Sequence, residues 1–278
     1  MKYIVGLTIK EIINKRILHL GLILTLIFLV VYGAGLHYCI KDYSRSGVQY
    51  LIVQQIGYQL MCLGWYMATF LSGALAIMMG AGSVSREIET GTILSLASRP
   101  LSRSAILMGK YIAYTLITAL YSILLTISIT YLAIYYFKLP IHPVNLLISV
   151  ALFILLPLLL LSVTHLSSVS LSTMATGVIG FMLFAVAVIG GFIEQIGALI
   201  DNTGLLNVGV VSSLILPADS IYRLAVSHAG GTIGYQMIAN FGPFGTTSTP
   251  SNWMLLYTLL YIALTLGLAI RKFSRRDL

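Results

Sequence analysis

Long apolar segments alternate with short charged ones along this chain. Six of the apolar segments are long enough to cross the roughly 30 Å hydrocarbon core of a bilayer as helices. They cover about residues 17–36, 57–84, 106–137, 144–163, 174–193 and 253–270. The pattern predicts an all-α integral membrane protein, with residues 1–278 forming a single transmembrane domain.

The first 16 residues have the pattern of a surface helix. Ile9, Ile12 and Ile13 form an apolar stripe, whereas Lys10 and Lys15 project elsewhere. Such a pattern is typical of an amphipathic helix that lies in the membrane interface. We expect residues 1–16 to form an elbow helix, either as a simple anchor or as a contact for a cytoplasmic partner.

Residues 194–252 form a long segment between the fifth and sixth apolar segments. Within it, Leu205–Leu216 is apolar but too short to span, and Pro217–Val226 predicts a second short helix. A seventh span would also move the basic C-terminus to the other side of the membrane. We therefore expect short re-entrant or interfacial helices on the external side.

Residues 85–110 carry six charges between two long uncharged stretches. Burying any one of them at the bilayer centre would cost about 3 kcal/mol, so the segment must lie outside the hydrocarbon. Gly91 suits the end of the helix that carries Arg86–Thr90, and Thr92 suits the cap of a short apolar turn over residues 93–97. Pro100 ends that turn, and Ser102 suits the cap of the next helix. The pattern predicts a short helix parallel to the membrane between spans two and three, and an ordinary charged loop is the alternative.

The charge distribution orients this topology. The chain has 278 residues, of which 58% are hydrophobic and 9% charged, and a net charge of +8. In the six-span arrangement, 12 of the 16 Lys and Arg residues and 4 of the 8 acidic residues fall on one side. The positive-inside rule then predicts cytoplasmic termini and a cytoplasmic segment 85–110 in the cell membrane, and it makes nucleic-acid binding an unlikely use of the positive charge.

The sequence shows little chemistry of its own. Gly109 and Lys110 lack the preceding glycine and the following Ser or Thr of a phosphate-binding loop, because Ser104 and Tyr111 occupy those positions. The five histidines are scattered, so we expect no metal site, no catalytic residue and no cofactor in this chain. A disulfide between Cys39 and Cys62 is geometrically conceivable, although two free thiols are favoured.

Small hydroxyl side chains recur at helical spacing in two of the predicted spans. Either close helix packing or a polar translocation path explains such a stripe. The candidate path residues are Thr115, Thr118, Ser122, Thr126, Thr173 and Thr176.

The stretch REIETGTILSLASRPLSRSAILMGKY, with the basic N-terminal elbow and the terminal RRDL, resembles the permease subunit of an ATP-binding-cassette (ABC) type-2 transporter. The resemblance covers nearly the whole chain. PADSIYRLAV also resembles a Pro-x-Asp and Tyr-Arg-Leu element of the branch that serves nitrous-oxide reductase maturation. The residues that match the family pattern are Glu87, Glu89, Gly91, Thr92, Arg99, Pro100, Ser102, Arg103, Gly109 and Lys110.

The resemblance implies that segment 85–110 contains a coupling helix, which docks in a groove of a separate cytoplasmic ATPase. That ATPase would bind ATP and Mg²⁺, and two permease copies or homologues, surrounded by membrane lipid, would form an exporter with two ATPases. A membrane anchor or sensor that only recruits an ATPase and a partner-free channel are the alternatives. The implied coupling residues are Arg86, Glu87, Glu89, Gly91, Thr92, Arg99, Pro100, Arg103 and Lys110.

Overall fold

The computed structural model describes residues 2–45, 49–91, 102–229, 244–245 and 247–275, and over these residues its regular elements are all α-helices. Two short helices, α1 (Lys2–Ile13) and α4 (Ser85–Glu89), flank longer ones near one end of the bundle. The others are α2 (Arg16–Arg45), α3 (Tyr50–Ala81), α5 (Arg103–Phe137), α6 (Pro143–Ser168), α7 (Thr173–Leu199), α8 (Thr203–Ile215), α9 (Ala218–Ala229) and α10 (Trp253–Ser274).

Within the described residues, six helices are long and apolar enough to cross a membrane, namely α2, α3, α5, α6, α7 and α10. This confirms the predicted all-α integral membrane class. Several of them extend beyond the apolar segments, as α3 begins at Tyr50 and α7 ends at Leu199. The extension is expected, because hydropathy marks the part within hydrocarbon, whereas helical hydrogen bonding can continue into the interface.

The spanning helices differ in how much of their surface the chain itself covers. The most apolar part of α3 is 67% buried and that of α6 is 61% buried, whereas α2 and α10 reach only 11% and 17%. At the centre, Trp65 of α3 is fully buried against Phe153 of α6 and donates a 3.0 Å hydrogen bond to Thr130 of α5. Helices α3, α5 and α6 therefore form the core, and α2 and α10 lie at the periphery.

The predicted elbow is a helix that packs on the start of α5. A Cβ atom at Gly109 would lie 2.9 Å from Ile4 Cγ2, so the absence of a side chain at Gly109 allows the two helices to approach closely. Lys15 Nζ donates to the Tyr114 hydroxyl at 2.9 Å and pairs with Glu11 at 3.0 Å. Burial alone would lower the pKa of Lys15, but Tyr114 and Glu11 more than offset this and raise it above its usual value.

Helices α8 and α9 meet at an angle of 104° and form the two short helices predicted for the external segment. They are a bent pair, either a broken span or a re-entrant loop, and α8 runs closely against α7. Both cysteines are free thiols, with Cys62 fully buried.

The close contact between α7 and α8 depends on Gly209. A Cβ atom there would lie 2.8 Å from Glu194 Cα and 2.9 Å from Glu194 N, and the backbone of α7 cannot move aside cheaply. We expect Gly209→Ala to lower the free energy of unfolding by about 1–3 kcal/mol, which thermal unfolding in detergent would measure. The matched control is Gly177→Ala, whose new methyl group would lie 3.8 Å from Ala81. Equal stability of the two variants would contradict this prediction.

Candidate functional site

The short helix α4 lies where the sequence predicts the helix that carries Arg86–Thr90, whereas the predicted apolar turn over residues 93–97 lies outside the described residues. Gly91 follows it with φ of +70°, the left-handed conformation that glycine adopts readily at the end of a helix, and Gly91 N donates to Ile88 O at 3.2 Å. On the other side of the break, the Ser102 hydroxyl accepts a 3.3 Å hydrogen bond from Ala105 N and caps α5. Thr92, Arg99 and Pro100 lie outside the described residues.

A buried ion pair connects α4 to α5. The Glu87 carboxylate pairs with Lys110, whose side chain is only 5% exposed. Lys110 Nζ also donates to Ser83 O, in the turn before α4, at 3.0 Å. Because each buried charge needs its partner, this pair holds α4 against the first turns of α5.

A second connection runs from α4 to α7. Glu89 accepts hydrogen bonds from Thr173 N at 2.7 Å and from Thr173 Oγ1 at 3.0 Å. Ser85 and Thr173 are also joined through their hydroxyls at 2.8 Å. A carboxylate at a helix N-terminus is stabilised by the unpaired N–H groups and by the helix dipole, so Glu89 fastens α4 to the start of α7.

The turn before α4 also binds α6. Ser83 Oγ lies 2.8 Å from Nδ1 of His165, and Nε2 of the same imidazole lies 3.3 Å from Leu107 O. Since a carbonyl oxygen only accepts, the neutral imidazole would carry its proton on Nε2 and accept from Ser83. His165, which the sequence analysis did not single out, is fully buried and links this turn to α5 and α6.

The remaining coupling candidates have different surroundings. Arg86 is exposed on α4, and Gly91, which follows α4, is exposed as well. Arg103 is partly exposed and donates from Nη1 to Ser274 O at the end of α10, at 3.3 Å. The structure thus divides the set: Glu87, Glu89 and Lys110 bind α4 to the bundle, while Arg86 faces outward.

The hydroxyl stripe of α5 lies inside the chain. Thr118, Ser122 and Thr126 are at most 3% exposed, and each donates to a backbone carbonyl. Ser122 reaches Phe153 O of α6 at 3.4 Å. Thr115 is partly exposed. This geometry accounts for the stripe by packing of α5 on its neighbours.

The two candidate path residues of α7 lie at the start of that helix, close to α4. Thr173 donates its hydrogen bonds to Glu89, as described above, and Thr176 is fully buried. Neither side chain lines one of the described cavities.

A buried charge cluster joins α7 to α9. Arg223 is 1% exposed, and its Nη1 and Nη2 atoms contact the two Glu194 carboxylate oxygens at 2.6 and 2.7 Å. Its Nε atom lies 2.9 Å from Asp219, and Nη1 also donates to Ser248 O at 2.9 Å. The sequence analysis counted these as external charges and missed the cluster, although the i,i+4 spacing of Asp219 and Arg223 allows such a pair.

Comparison of this sequence with known protein families identifies the family of the chain. Residues 5–278 match the sequence model described as ABC-2 family transporter protein. The chain belongs to this ABC-2 transporter family. It is therefore a multi-pass membrane protein of this family, which confirms the coarser part of the resemblance.

One curated relative of this permease is the uncharacterized protein YhcI of Bacillus subtilis (strain 168). The two chains are 44% identical over 69 residues, which is 25% of this chain and 22% of the relative. The permease thus matches about a fifth of that relative's length.

Membership in the family gives the α4 contacts a context. Permeases of this family are typically non-catalytic membrane subunits that work with a separate ABC ATPase. Each of the three contacts that fasten α4 joins it, or the turn before it, to a spanning helix.

Proposed function

We propose that this permease is the membrane subunit of an exporter, and that α4 is the coupling helix through which a cytoplasmic ATPase drives it. The observation that carries the proposal is the double attachment of α4, by Glu87 to Lys110 of α5 and by Glu89 to Thr173 of α7. In the proposed complex, ATP and Mg²⁺ bind to the ATPase, and this chain supplies no catalytic residue.

Energy considerations support a firmly attached coupling helix. Moving a two-state transporter from 1:99 to 99:1 requires about 5.5 kcal/mol of differential binding. A helix that transmits such an energy must be held with comparable strength. Pulling Glu87 away from Lys110 would leave the buried Lys110 ammonium unpaired, which costs about 3–5 kcal/mol, and the two hydrogen bonds of Glu89 would be lost as well. Closure of the ATPase would then rock α3, α5 and α7 together.

The proposed assembly contains two permease copies or homologues and two ATPases. Both termini, α1 and α4 lie on the cytoplasmic side, as the excess of Lys and Arg on that side favours. Segment 85–110 is the coupling region, and the bent pair α8–α9 is external. The direction of transport rests on the family resemblance.

The proposal does not include the nitrous-oxide reductase branch. The PADSIYRLAV stretch that resembles this branch contains Asp219, Tyr222 and Arg223, and all three side chains are buried. Asp219 and Arg223 pair with each other, and the Tyr222 hydroxyl donates to Cys62 O at 3.0 Å. These contacts give the residues a role in packing that is independent of the substrate.

The docking surface can be tested by purifying the tagged chain from its native membrane in mild detergent and measuring Mg²⁺-dependent ATP hydrolysis that co-purifies. We expect wild type to retain an ATPase and Arg86→Glu to lose most of it, because Arg86 is the exposed cation of α4. Lys138→Glu is the matched control, with the same charge change at an exposed residue of the turn after α5. Equal loss in both variants, or wild type without an ATPase even after crosslinking, would count against coupling through α4, and the latter result would favour a channel.

A second measurement separates an exporter from a recruiting anchor. Val208 is 54% exposed on α8, far along the chain from α4, and can carry a cysteine label in a Cys39→Ser background. In an exporter, ATP turnover by the bound ATPase should change the labelling rate of Val208→Cys. A constant rate during turnover would favour the anchor.

A further inference from the structure

The ends of α6 and α10 enclose a groove of about 790 Å³ that combines charge with apolar surface. This volume lies within the range of about 300–1,000 Å³ of small-molecule sites. Its polar side is formed by three exposed cations at and just after the C-terminal end of α10. Its apolar side is formed by leucine and valine side chains at the end of α6, in the following turn and on α10. The lining residues are Leu166, Val169, Ser170, Leu268, Arg271, Lys272 and Arg275.

The three cations have no acidic partner within the part of the chain that the structure describes. Among the described residues, no carboxylate lies within ion-pair distance of Arg271, Lys272 or Arg275. The groove therefore offers three positive charges to a negatively charged group.

An apolar track leads along α10 to these cations. Leu256, Leu260, Leu264 and Leu268 follow each other at i,i+4 spacing and are 46–62% exposed. In an α-helix this spacing places side chains on one face, which continues into Lys272. Only 17% of the most apolar part of α10 is buried, so the track faces outward from the chain.

We propose that this groove binds an anionic phospholipid. Its phosphate would lie among Arg271, Lys272 and Arg275, and its acyl chains would follow Leu268 and Leu264 down the outer face of α10. A soluble anion would use the cations but not the leucine track, and a zwitterionic lipid would use the track but carry no net charge for the cations. The combination fits a lipid with a net negative headgroup, at the surface where the spanning helices α6 and α10 end.

The site does not depend on the proposed coupling to an ATPase. It requires only that α10 spans the membrane and that its C-terminal end reaches the headgroup region. Failure of the lipid test would leave the coupling proposal intact, and failure of the ATPase test would leave the lipid site intact.

The test uses the full-length chain in nonionic detergent and native mass spectrometry with phosphatidylglycerol and phosphatidylcholine of identical acyl chains. We expect wild type to retain phosphatidylglycerol preferentially. The variant R271Q/K272Q/R275Q should lose roughly 100-fold in affinity for it at low salt, since each cation contributes about 1 kcal/mol near an anionic headgroup.

The matched control removes three exposed cations elsewhere, as K10Q/R16Q/K138Q. It carries the same net charge as the test variant and should keep the preference of wild type. Equal losses in the two triple variants would mean diffuse attraction by net charge and would overturn the site. If the test variant does not fold, the single variant K272Q, with a smaller expected loss of about fivefold, replaces it.

A further arm distinguishes a lipid from a soluble anion. The variant L264Q/L268Q keeps the cations and should bind phosphatidylglycerol several-fold more weakly, with unchanged binding of glycerol 3-phosphate. Full displacement of the lipid by millimolar glycerol 3-phosphate, or equal retention of both lipids by wild type, would overturn the proposal. So would loss of a bound ATPase from R271Q/K272Q/R275Q without any lipid preference in wild type, which would assign the cations to a protein contact.

Discussion

Replacing Arg223 with methionine is expected to lower the free energy of unfolding by about 3–5 kcal/mol. Arg223 is 1% exposed and contacts both Glu194 oxygens and Asp219. Methionine has a similar length but no charge, so the substitution leaves two carboxylates buried within one cluster. It also removes the donor to Ser248 O, and with it one attachment of the segment before α10.

The fully buried Cys62 provides the measurement. The Cys62 carbonyl accepts from Tyr222 on α9, the residue directly before Arg223, so loosening of α9 should expose this thiol to a maleimide dye. In a Cys39→Ser background, we expect the temperature at which Cys62 becomes reactive to fall markedly in Arg223→Met. An unchanged transition would contradict the importance of the cluster.

A neutral version of the cluster is the decisive control. The triple variant E194Q/D219N/R223M keeps the approximate shapes of the three side chains but leaves no buried charge. Because removing all members of a buried ionic cluster is often nearly neutral, we expect it to recover much of the lost stability. A triple variant as unstable as Arg223→Met would indicate that shape, rather than unpaired charge, sets the cost.

Replacing Glu87 with alanine, at the other end of the bundle, is expected to lower the free energy of unfolding about as much as Arg223→Met. The substitution leaves the Lys110 ammonium, with a side chain 5% exposed, without its carboxylate. Breaking a buried pair on one side typically costs about 3–5 kcal/mol. Since the pair joins α4 to α5, amide hydrogen exchange should increase first in α4 and in the first turns of α5.

Two variants test this explanation. Arg86→Ala removes an exposed charge from the same helix and should change stability by no more than about 0.5 kcal/mol. The double variant E87L/K110M replaces the pair by apolar side chains and should recover most of the stability lost in Glu87→Ala. If Arg86→Ala were as destabilising as Glu87→Ala, the loss would reflect α4 as a whole and not the ion pair.

Local patterns predicted much of the secondary structure. The six spanning helices follow from uninterrupted apolar length, and the start of α5 follows from the capping ability of Ser102. Gly91 ends α4 in a left-handed conformation, as its position after a short charged helix indicates. These features depend on residues close in sequence, so the sequence alone contains the information that specifies them.

The partners of the charged residues could not be predicted in the same way. Glu194 and Arg223 are separated by 29 positions, and the sequence analysis assigned both to the external segment without a partner. Glu87 and Lys110 were assigned to an ATPase surface by resemblance, yet both turn inward. A charged side chain near the end of a span has the same sequence signature whether it faces water or a buried partner. Only the packing of α4, α5, α7 and α9 distinguishes the two.

The sequence by itself determined the class of protein, the six long apolar helices and the position of the helix that carries Arg86 and ends before Gly91. These follow from the cost of placing charge or unpaired backbone in hydrocarbon, a cost that each segment bears locally. The tertiary structure alone decided which residues hold that helix, where the α7–α9 charge cluster forms and how the leucine track meets the cations of α10. Those arrangements join side chains from different helices, and their energies exist only once the helices have packed.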